Sequence, residues 1–288
     1  MVWSRVHRML PKGSFDPKHP VRSLARWPLW LVSIARGKPV NAQFVTGGMK
    51  MRLMPKLRSF GSTSIYIRRD FYEPELLAIR PFVRPGSVAL DIGGSFGIFS
   101  LFMSEYVGKD GHVYAFEPGK YSFGEISHNV ALNRRQDRIT VFNVAASDKP
   151  ATLSLVHLGD APVTFSIGEA DSTRQESETV EAKRVDSLVP REDWERVSFI
   201  KIDVEGYERS ALEGARGVIE AAHPTIMFEV CAEALGRQGL TPADMRSFLG
   251  SFGYSFFRLN PEGGFDPVED LPEDNVFAFI GSPEQASR

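Results

Sequence analysis

The residues best placed to do chemistry form a glycine-rich turn that directly follows an apolar run. The run from Ser87 to Ile92 is apolar up to Asp91. Glycines at the end of a buried strand let the backbone turn tightly and approach a ligand closely. The pattern therefore predicts a ligand-binding turn made of Asp91, Gly93, Gly94, Ser95 and Gly97. On this motif alone, glycines that serve only a strand-to-helix turn remain an alternative.

A single carboxylate closes the next apolar run. Glu117 follows residues 112–116, one helical crossover after the glycine turn. A carboxylate fixed at a strand end can accept hydrogen bonds from both hydroxyls of a ribose. We therefore expect Glu117 to bind the sugar of a nucleoside ligand, the alternative being a solvated strand-end carboxylate.

A third polar group ends the run at residues 139–145. Ser147 and Asp148 follow that run in the segment Ala-Ala-Ser-Asp-Lys-Pro. The Asp148 carboxylate is able to accept a hydrogen bond from an adenine amino group. The same segment is also an ordinary turn sequence, and the residues alone do not choose between the two.

Two more acids end the run that begins at Val197. Asp203 and Glu205 alternate along an extended chain and then meet a helix start at Gly206, so at least one should face the cleft. The alternative is that Glu205 merely favours the positive end of the helix. Glu229, after the following run, adds a third carboxylate on the same rim, whereas His223 precedes that run and lies at the opposite end.

The surrounding pattern predicts the elements that must position these residues. From Pro85 onward apolar runs alternate with helical segments, which is typical of a parallel sheet covered by helices. We expect strands at 87–92, 112–116, 139–145, 151–157, 197–204 and 225–230, and helices at 97–107, 121–133, 207–221 and 241–252. The runs 254–259 and 276–280 should pair antiparallel, residues 159–177 should form a mobile loop and candidate lid, and residues 40–70 should form short strands that include Ile65 and Ile67.

With these motifs in place, the chain resembles the FkbM family of methyltransferases, whose members include O-methyltransferases acting on natural products and glycans. The resemblance is carried by Asp91 to Gly97, Phe116 to Pro118 with Asn129 and Asn133, Ala145 to Asp148, and Ile200 to Glu208 with Leu212 and Gly214. It implies a doubly wound, Rossmann-like α/β fold, in which a seven-stranded methyltransferase sheet ends in a closing antiparallel hairpin. It also divides the chain into a basic extension, residues 1–70, and a cofactor-binding domain, residues 71–288.

The resemblance implies S-adenosylmethionine as cofactor. The glycine turn and Glu117 would hold it, Ser147 and Asp148 would lie at its adenine, and Asp203 and Glu205 would face the reacting end. The acceptor would be a hydroxyl of a glycan, lipid or natural product, and Asp203, which closes its strand, is the first candidate for the base that removes the hydroxyl proton. A metal held by Asp203, Glu205 and Glu229 is an alternative, although we assign none.

Three rival functions share parts of this pattern. Gly93, Ser95 and Gly97 also fit the nucleophile elbow of α/β hydrolases, with Asp203 and His223 in the required order, but no His-Gly-Gly run supplies an oxyanion hole. The turn departs from the Gly-x-Gly-x-x-Gly motif of nicotinamide-dependent dehydrogenases. A non-catalytic module that kept the fold would bind cofactor without turnover, or would not bind it.

Charge and composition limit the partners. The first 69 residues contain 14 Lys or Arg and one acid, Asp16, whereas the remainder contains 20 basic and 35 acidic residues. The acidic body argues against nucleic acid as substrate. The basic segment could meet anionic lipid, an anionic substrate or the acidic body itself.

The N-terminal segment contains an apolar pattern too short to span a bilayer. Leu24, Trp27, Trp30, Leu31 and Ile34 recur at helical spacing around Pro28. They predict either a helix at a membrane surface or, preferably, a helix packed on the protein itself. Cys231 is the only cysteine, which favours a reducing compartment, so we expect a cytoplasmic protein with peripheral membrane contact as an option.

Overall fold

The computed structural model describes residues 19–55, 60–157, 165–167 and 177–287. Their contacts define two compact units. One consists of residues up to Leu77 together with Ala131–Asn133, and the other of Ala78–Val130 and the chain from Arg134 onward.

The first unit is a small α/β assembly. Helix α1 (Pro20–Arg36) is followed by strands β1 (Val40–Gln43) and β2 (Lys50–Leu53), which pair antiparallel, and by helix α2 (Phe60–Arg68). Helix α1 runs through Pro28 without a break. Its Trp30 is fully buried, stacks on Tyr66 with ring centroids 4.6 Å apart, and donates from Nε1 to Thr63 Oγ1 at 3.1 Å. This helix therefore packs on the protein through its indoles.

The prediction of strands throughout residues 40–70 was correct for β1 and β2 and wrong for Ile65 and Ile67, which lie in helix α2. The β-branched residues and their alternation suggested a strand. However, residues 62–67 are all buried, so this helix has no polar face to produce a helical period. Tertiary packing here overrides local propensity.

An eight-stranded mixed sheet dominates the second unit. Its strands are β3 (Val88–Ile92), β4 (His112–Phe116), β5 (Ile139–Phe142), β10 (Val197–Ile202), β11 (Thr225–Glu229), β12 (Tyr254–Leu259), β13 (Phe265–Pro267) and β14 (Asn275–Ile280). Their order is β13-β12-β14-β11-β10-β3-β4-β5. Strands β5, β4, β3, β10 and β11 are parallel, while β14, β12 and β13 are antiparallel.

This arrangement confirms the predicted doubly wound α/β sheet with a closing antiparallel hairpin. Strands β3 and β10 are buried at every position, as central strands covered on both faces must be. Strand β13 adds an unpredicted eighth strand, because it lies in the acidic Pro- and Gly-rich connection where turn residues masked the signal.

Helices cover this sheet. They are α4 (Ile98–Val107), α5 (Lys120–Leu132), α6 (Glu208–Gly214), α7 (Arg216–Ala222), α8 (Ala232–Gly236), α9 (Pro242–Gly250) and α10 (Pro283–Ala286). The short helix α3 (Glu75–Ala78) precedes them in the chain. Short 3-10 helices occupy Thr46–Gly48, Arg69–Phe71, Val185–Ser187 and Arg191–Arg196. The predicted helix 207–221 is interrupted at Ala215, and the predicted start of α9 is confirmed by a capping box between Thr241 and Asp244.

A second, four-stranded sheet was not predicted. It contains β6 (Ala145–Ala146), β7 (Ala151–His157), β8 (Phe165–Ile167) and β9 (Ser177–Lys183) in the order β6-β9-β7-β8. The predicted strand 139–145 therefore ends at Phe142, and its last residue belongs to this sheet. The predicted loop 159–177 was wrong at Phe165–Ile167, which pairs with β7. Residues 158–164 and 168–176, and with them most of the candidate lid, lie outside the described residues.

Candidate active site at the carboxyl edge of the parallel strands

The parallel strands end in register, which brings their following residues to one edge of the sheet. Ile92 pairs with Phe116 on one side and with Ile202 on the other, and Ile202 pairs with Phe228. Loops after these residues therefore meet where open α/β sheets bind ligands. A cavity of about 150 Å³ lies there, lined by Gly93, Ser95, Phe116, Glu117, Pro118, Ala145, Ala146, Leu155, Asp203, Val204, Glu205 and Tyr207.

Gly93 is required by the geometry of the turn. Its φ is +81°, and a Cβ placed there would lie 1.8 Å from the carbonyl oxygen of Asp203. Its amide and that of Gly94 donate to the Phe116 carbonyl at 2.9 and 3.1 Å. At Gly97, φ is +85° and a Cβ would meet Ile126 at 2.6 Å. The glycines thus let three strand ends approach each other closely.

Glu117 is held by the glycine turn and by its own loop. One carboxylate oxygen accepts from the Ser95 amide at 2.8 Å, and the other accepts from the Gly119 amide at 2.9 Å. Burial raises the pKa of Glu117 to about 7, opposed by these two hydrogen bonds, which favour the ionised form. Each oxygen keeps a lone pair for a ligand, so the arrangement suits a bidentate acceptor fixed at the cavity wall.

Lys201 links the strand ends beneath the cavity, and its role was missed from the sequence. The side chain is buried, and Nζ donates to the Gly93 carbonyl at 2.8 Å. Nζ also lies 3.4 Å from Asp203 Oδ2 and 3.8 Å from Asp91 Oδ1. A lysine inside a strand covered on both faces needs such partners, and that was the available signal.

Asp91 lies under the turn rather than in the cavity wall. It is completely buried, and its Oδ2 accepts a hydrogen bond from the Ser100 hydroxyl. Burial raises its pKa, and the Lys201 ammonium opposes that shift. Of the residues predicted to bind cofactor, Gly93, Ser95 and Glu117 line the cavity directly.

Three carboxylates meet on the other side of the cavity. Asp203 and Glu205 line it, and Glu229 at the end of β11 forms a side-chain hydrogen bond with Asp203. Burial, the charges of Asp203 and Glu205, and this bond raise the pKa of Glu229 to about 8. Burial and the charge of Asp203 also raise the pKa of Glu205. Within the described residues, no three His, Cys, Asp or Glu side chains are grouped to hold a metal ion.

The turn that carries Glu205 is strained. Glu205 has φ of +55°, and Ser95 across the cavity has φ of +48°. Two of the five non-glycine residues with positive φ in the described chain therefore line this cavity. Glu208 supports the turn by accepting the amides of Val204 and Gly206 at 3.2 and 3.1 Å. Such backbone strain concentrates at functional sites.

Ser147 and Asp148 lie in an adjoining cavity of about 450 Å³. Asp148 Oδ1 accepts from the Ser210 hydroxyl at 2.9 Å, and the Arg184 side chain donates to the Asp148 carbonyl at 2.6 Å. Tyr207, which the sequence did not single out, lines both cavities. The structure thus brings together the glycine turn, Glu117, Asp203 and Glu205, and it places Ser147 and Asp148 beside them.

The residues of the hydrolase alternative are not brought together. Ser95 lies at the carboxyl edge of the sheet. His223 precedes β11 and lines a separate cavity with Arg84 and Ser198 at the amino ends of the strands. Among the described residues that line the cavity of Ser95 there is no histidine, so no imidazole is positioned there to activate the hydroxyl as in a hydrolase triad.

Comparison with known proteins gives a consistent result. Methyltransferase sdnD of Sordaria araneosa is 23% identical over 66% of this chain and 80% of its own length. Methyltransferase 1 of Beauveria bassiana is 23% identical over 68% of this chain and 83% of its own.

Solved structures are more distant. The crystal structure of an FkbM methyltransferase from Methylobacillus flagellatus has 16% identity and a TM-score of 0.45; the match covers 88% of this chain and 59% of that one, so the chain spans about three fifths of that protein. A SAM-dependent O-methyltransferase from Thermotoga maritima has 14% identity and a TM-score of 0.39, over 85% of this chain and 78% of that one.

The Methyltransferase FkbM domain family matches residues 91–256, which include the glycine turn, Glu117 and all three carboxylates. The chain therefore belongs to the FkbM methyltransferase family.

Proposed function

We propose that the cavity at the carboxyl edge binds S-adenosylmethionine and that the enzyme transfers its methyl group to a hydroxyl of a small-molecule or glycan acceptor. The observation that supports this most strongly is the position of Glu117, fixed by two backbone amides in the same cavity as Asp203 and Glu205.

The Glu117 side of the cavity has the features that a nucleoside requires. Its carboxylate can accept both ribose hydroxyls, and Gly93 and Ser95 of the glycine turn line the same cavity. Phe116, Pro118 and Leu155 provide apolar surface for a flat base. The predicted contact of Asp148 with adenine would require the ligand to reach toward the adjoining cavity.

The Asp203 side has the features that the acceptor requires. Bound cofactor supplies an electrophilic methyl group on a sulfonium, and the displacement forms the O–CH₃ bond as the S–CH₃ bond breaks. The acceptor hydroxyl must lose its proton, and a carboxylate in the cavity wall is the natural recipient. Burial and the charges of Asp203 and Glu205 raise the pKa of Glu229, which therefore holds its proton more readily than an ordinary glutamate, and Asp203 lies 3.4 Å from the Lys201 ammonium.

The protein mainly supplies alignment. Lys201 donates a hydrogen bond to the Gly93 carbonyl and forms an ion pair with Asp203. The glycine turn that would bind the ligand and the proposed base Asp203 are thereby held in a fixed relative position. Correct placement of the reacting atoms is a large contribution to the rate of a direct displacement.

A transfer assay tests this proposal. Methyl-labelled S-adenosylmethionine is incubated with the protein and a panel of monosaccharide, fatty alcohol and polyketide hydroxyl acceptors. Against an acceptor that is methylated, Asp203→Asn should lower kcat by about 10²- to 10⁴-fold and leave the Kd of the cofactor nearly unchanged. Asp266→Asn is the matched control, since its side chain is 47% exposed compared with 44% for Asp203. A normal rate in Asp203→Asn would contradict the assignment of the base, and cofactor binding without transfer to any acceptor would favour a non-catalytic module.

A further inference from the structure

Helix α1 has two apolar faces, and only one of them packs on the protein. Trp27 and Trp30 are buried against the first unit, as described above for Trp30. The opposite face carries Val21, Ala25, Pro28, Leu29 and Val32, all exposed. These positions recur every three or four residues and form one stripe along the helix, which we call the outer stripe.

The outer stripe is unusually apolar for a free surface. Val21 is 73% exposed and Leu29 is 64% exposed. Among the eight exposed large hydrophobic residues of the described chain, four lie in this single helix. Isolated exposed hydrophobics are common, whereas a contiguous apolar patch marks an interaction surface.

Positive charge flanks the outer stripe. Arg22, Arg36 and Lys38 are exposed beside it or just beyond its end. Of the described acids of the same unit, Asp70 and Glu75 are buried and Glu73 is partly exposed. Both carboxylate oxygens of Asp70 accept hydrogen bonds from backbone amides, those of Val45 and Thr46, at 2.9 and 2.7 Å. The carboxylate therefore stabilises the β1–β2 loop.

We propose that the outer stripe binds an anionic lipid surface, with the helix lying in the plane of the interface. The apolar side chains would enter the acyl boundary, while Arg22 and Arg36 would meet the headgroups. None of the helices in the described ranges is long and apolar enough to cross a bilayer, so the helix would bind the surface and would not span it. A second copy of the chain fits less well, because a two-fold interface between identical stripes would bring like positive charges together.

The face of the helix proposed to bind lipid differs from the face that the sequence pattern suggested. That pattern pointed to a face containing Trp27 and Trp30, which the structure buries. The surface left for lipid is the opposite face, whose alanine and proline weaken its signal in the sequence.

Vesicle cosedimentation of the full chain tests the proposal. The protein should bind vesicles of phosphatidylcholine mixed with phosphatidylserine more tightly than vesicles of phosphatidylcholine alone, and high salt should reduce the difference. The double variant Leu29→Ser/Val32→Ser should bind at least about tenfold more weakly. Leu77→Ser, 40% exposed in the same unit but outside the helix, is the matched control and should bind normally.

Charge variants separate the electrostatic part. Arg22→Gln and Arg36→Gln should each weaken binding to the mixed vesicles by roughly fivefold and leave binding to phosphatidylcholine unchanged. Circular dichroism and thermal melting of each variant check that the fold is intact. No binding to either vesicle, or equal binding by Leu29→Ser/Val32→Ser, would overturn the proposal. So would a dimer in sedimentation analysis that the double variant abolishes, because the stripe would then belong to a second copy.

Discussion

The two sides of the cavity hold their carboxylates in opposite ways. Glu117, after β4, has each oxygen bonded to a backbone amide. Asp203, Glu205 and Glu229, after β10 and β11, lie close enough for the charges of the first two to raise the pKa of Glu229, and Lys201 is the buried cation beside Asp203. A carboxylate held by backbone amides keeps its place and presents the same lone pairs to every ligand. Carboxylates held near each other by the fold share protons instead, and this is the condition for acid–base chemistry.

We therefore propose that the Glu117 side of the cavity binds the cofactor and that the Asp203 side takes the proton. Gly93 and Lys201 connect them, because the glycine packs on the Asp203 backbone and the lysine bonds the Gly93 carbonyl. Substitutions on each side should therefore produce different defects. Substitution of Gly93 or Lys201, which connect the two sides, should impair both cofactor binding and methyl transfer.

The largest effect is expected at Gly93. In Gly93→Ala the new methyl group would collide with the Asp203 carbonyl in a left-handed backbone conformation. We expect loss of cofactor binding by more than about 100-fold and a free energy of unfolding lower by about 3 kcal/mol. Calorimetric titration and chemical denaturation measure the two effects. Gly124→Ala, with nothing within 4 Å of its Cβ, is the control and should bind normally. Equal cofactor affinity and equal stability of the two variants would contradict the proposal that Gly93 connects the two sides of the cavity.

The next effect is a pH dependence that belongs to Glu117. Its pKa of about 7 means that the ionised acceptor becomes available as pH rises through neutrality. Affinity for S-adenosylhomocysteine should therefore be about tenfold lower at pH 6 than at pH 8. Glu117→Gln should bind weakly at both pH values and lose this dependence. If the variant kept the same pH profile, a group other than Glu117 would be responsible.

A smaller effect concerns stability and Glu229. Its native pKa of about 8 lies above the ordinary value of 4.5, so the native state binds more protons than the unfolded state between these values. The free energy of unfolding should then fall as pH rises through that window. Glu229→Gln removes this part of the fall and should be more stable than the wild type at pH 9 by on the order of 1 kcal/mol, with little difference at low pH. Parallel pH–denaturation curves for the two proteins would refute the raised pKa.

The smallest effect is expected at Asp148. Because its carboxylate is bonded to Ser210 in the adjoining cavity, Asp148→Ala should change the affinity for S-adenosylhomocysteine by less than about threefold. Titration of this variant beside Glu117→Ala makes the comparison directly. An equal loss in both variants would show that the adenine reaches Asp148, as the sequence resemblance implies.

The sequence predicted the parts of this site that follow from strand ends. Parallel strands align their carboxyl ends, so apolar runs followed by Gly93, Glu117 and Asp203 had to meet at one edge. The direction of a side chain after a strand end depends on the loop that follows it. For this reason Asp148, whose loop leads into the second sheet, lies beside the first cavity, and Tyr207 was not anticipated.

Buried elements without polar faces were also not predicted correctly from the sequence. Helix α2 gives no helical period because packing covers it on all sides, and β8 and β9 lie in or next to a segment rich in turn residues. Lys201 could have been recognised as a buried cation in an otherwise apolar strand, but its partners, the Gly93 carbonyl and the carboxylates of Asp91 and Asp203, depend on tertiary structure.

The central claim is that Glu117 and the glycine turn form the cofactor site, and one calorimetric experiment tests it most directly. Purified protein and Glu117→Ala are titrated with S-adenosylhomocysteine, with NAD as a control ligand. We expect binding by the wild-type protein, a loss of at least about tenfold in the variant, and no binding of NAD. Equal binding by the two folded proteins, or none by the wild type, would contradict the placement of the cofactor in this cavity.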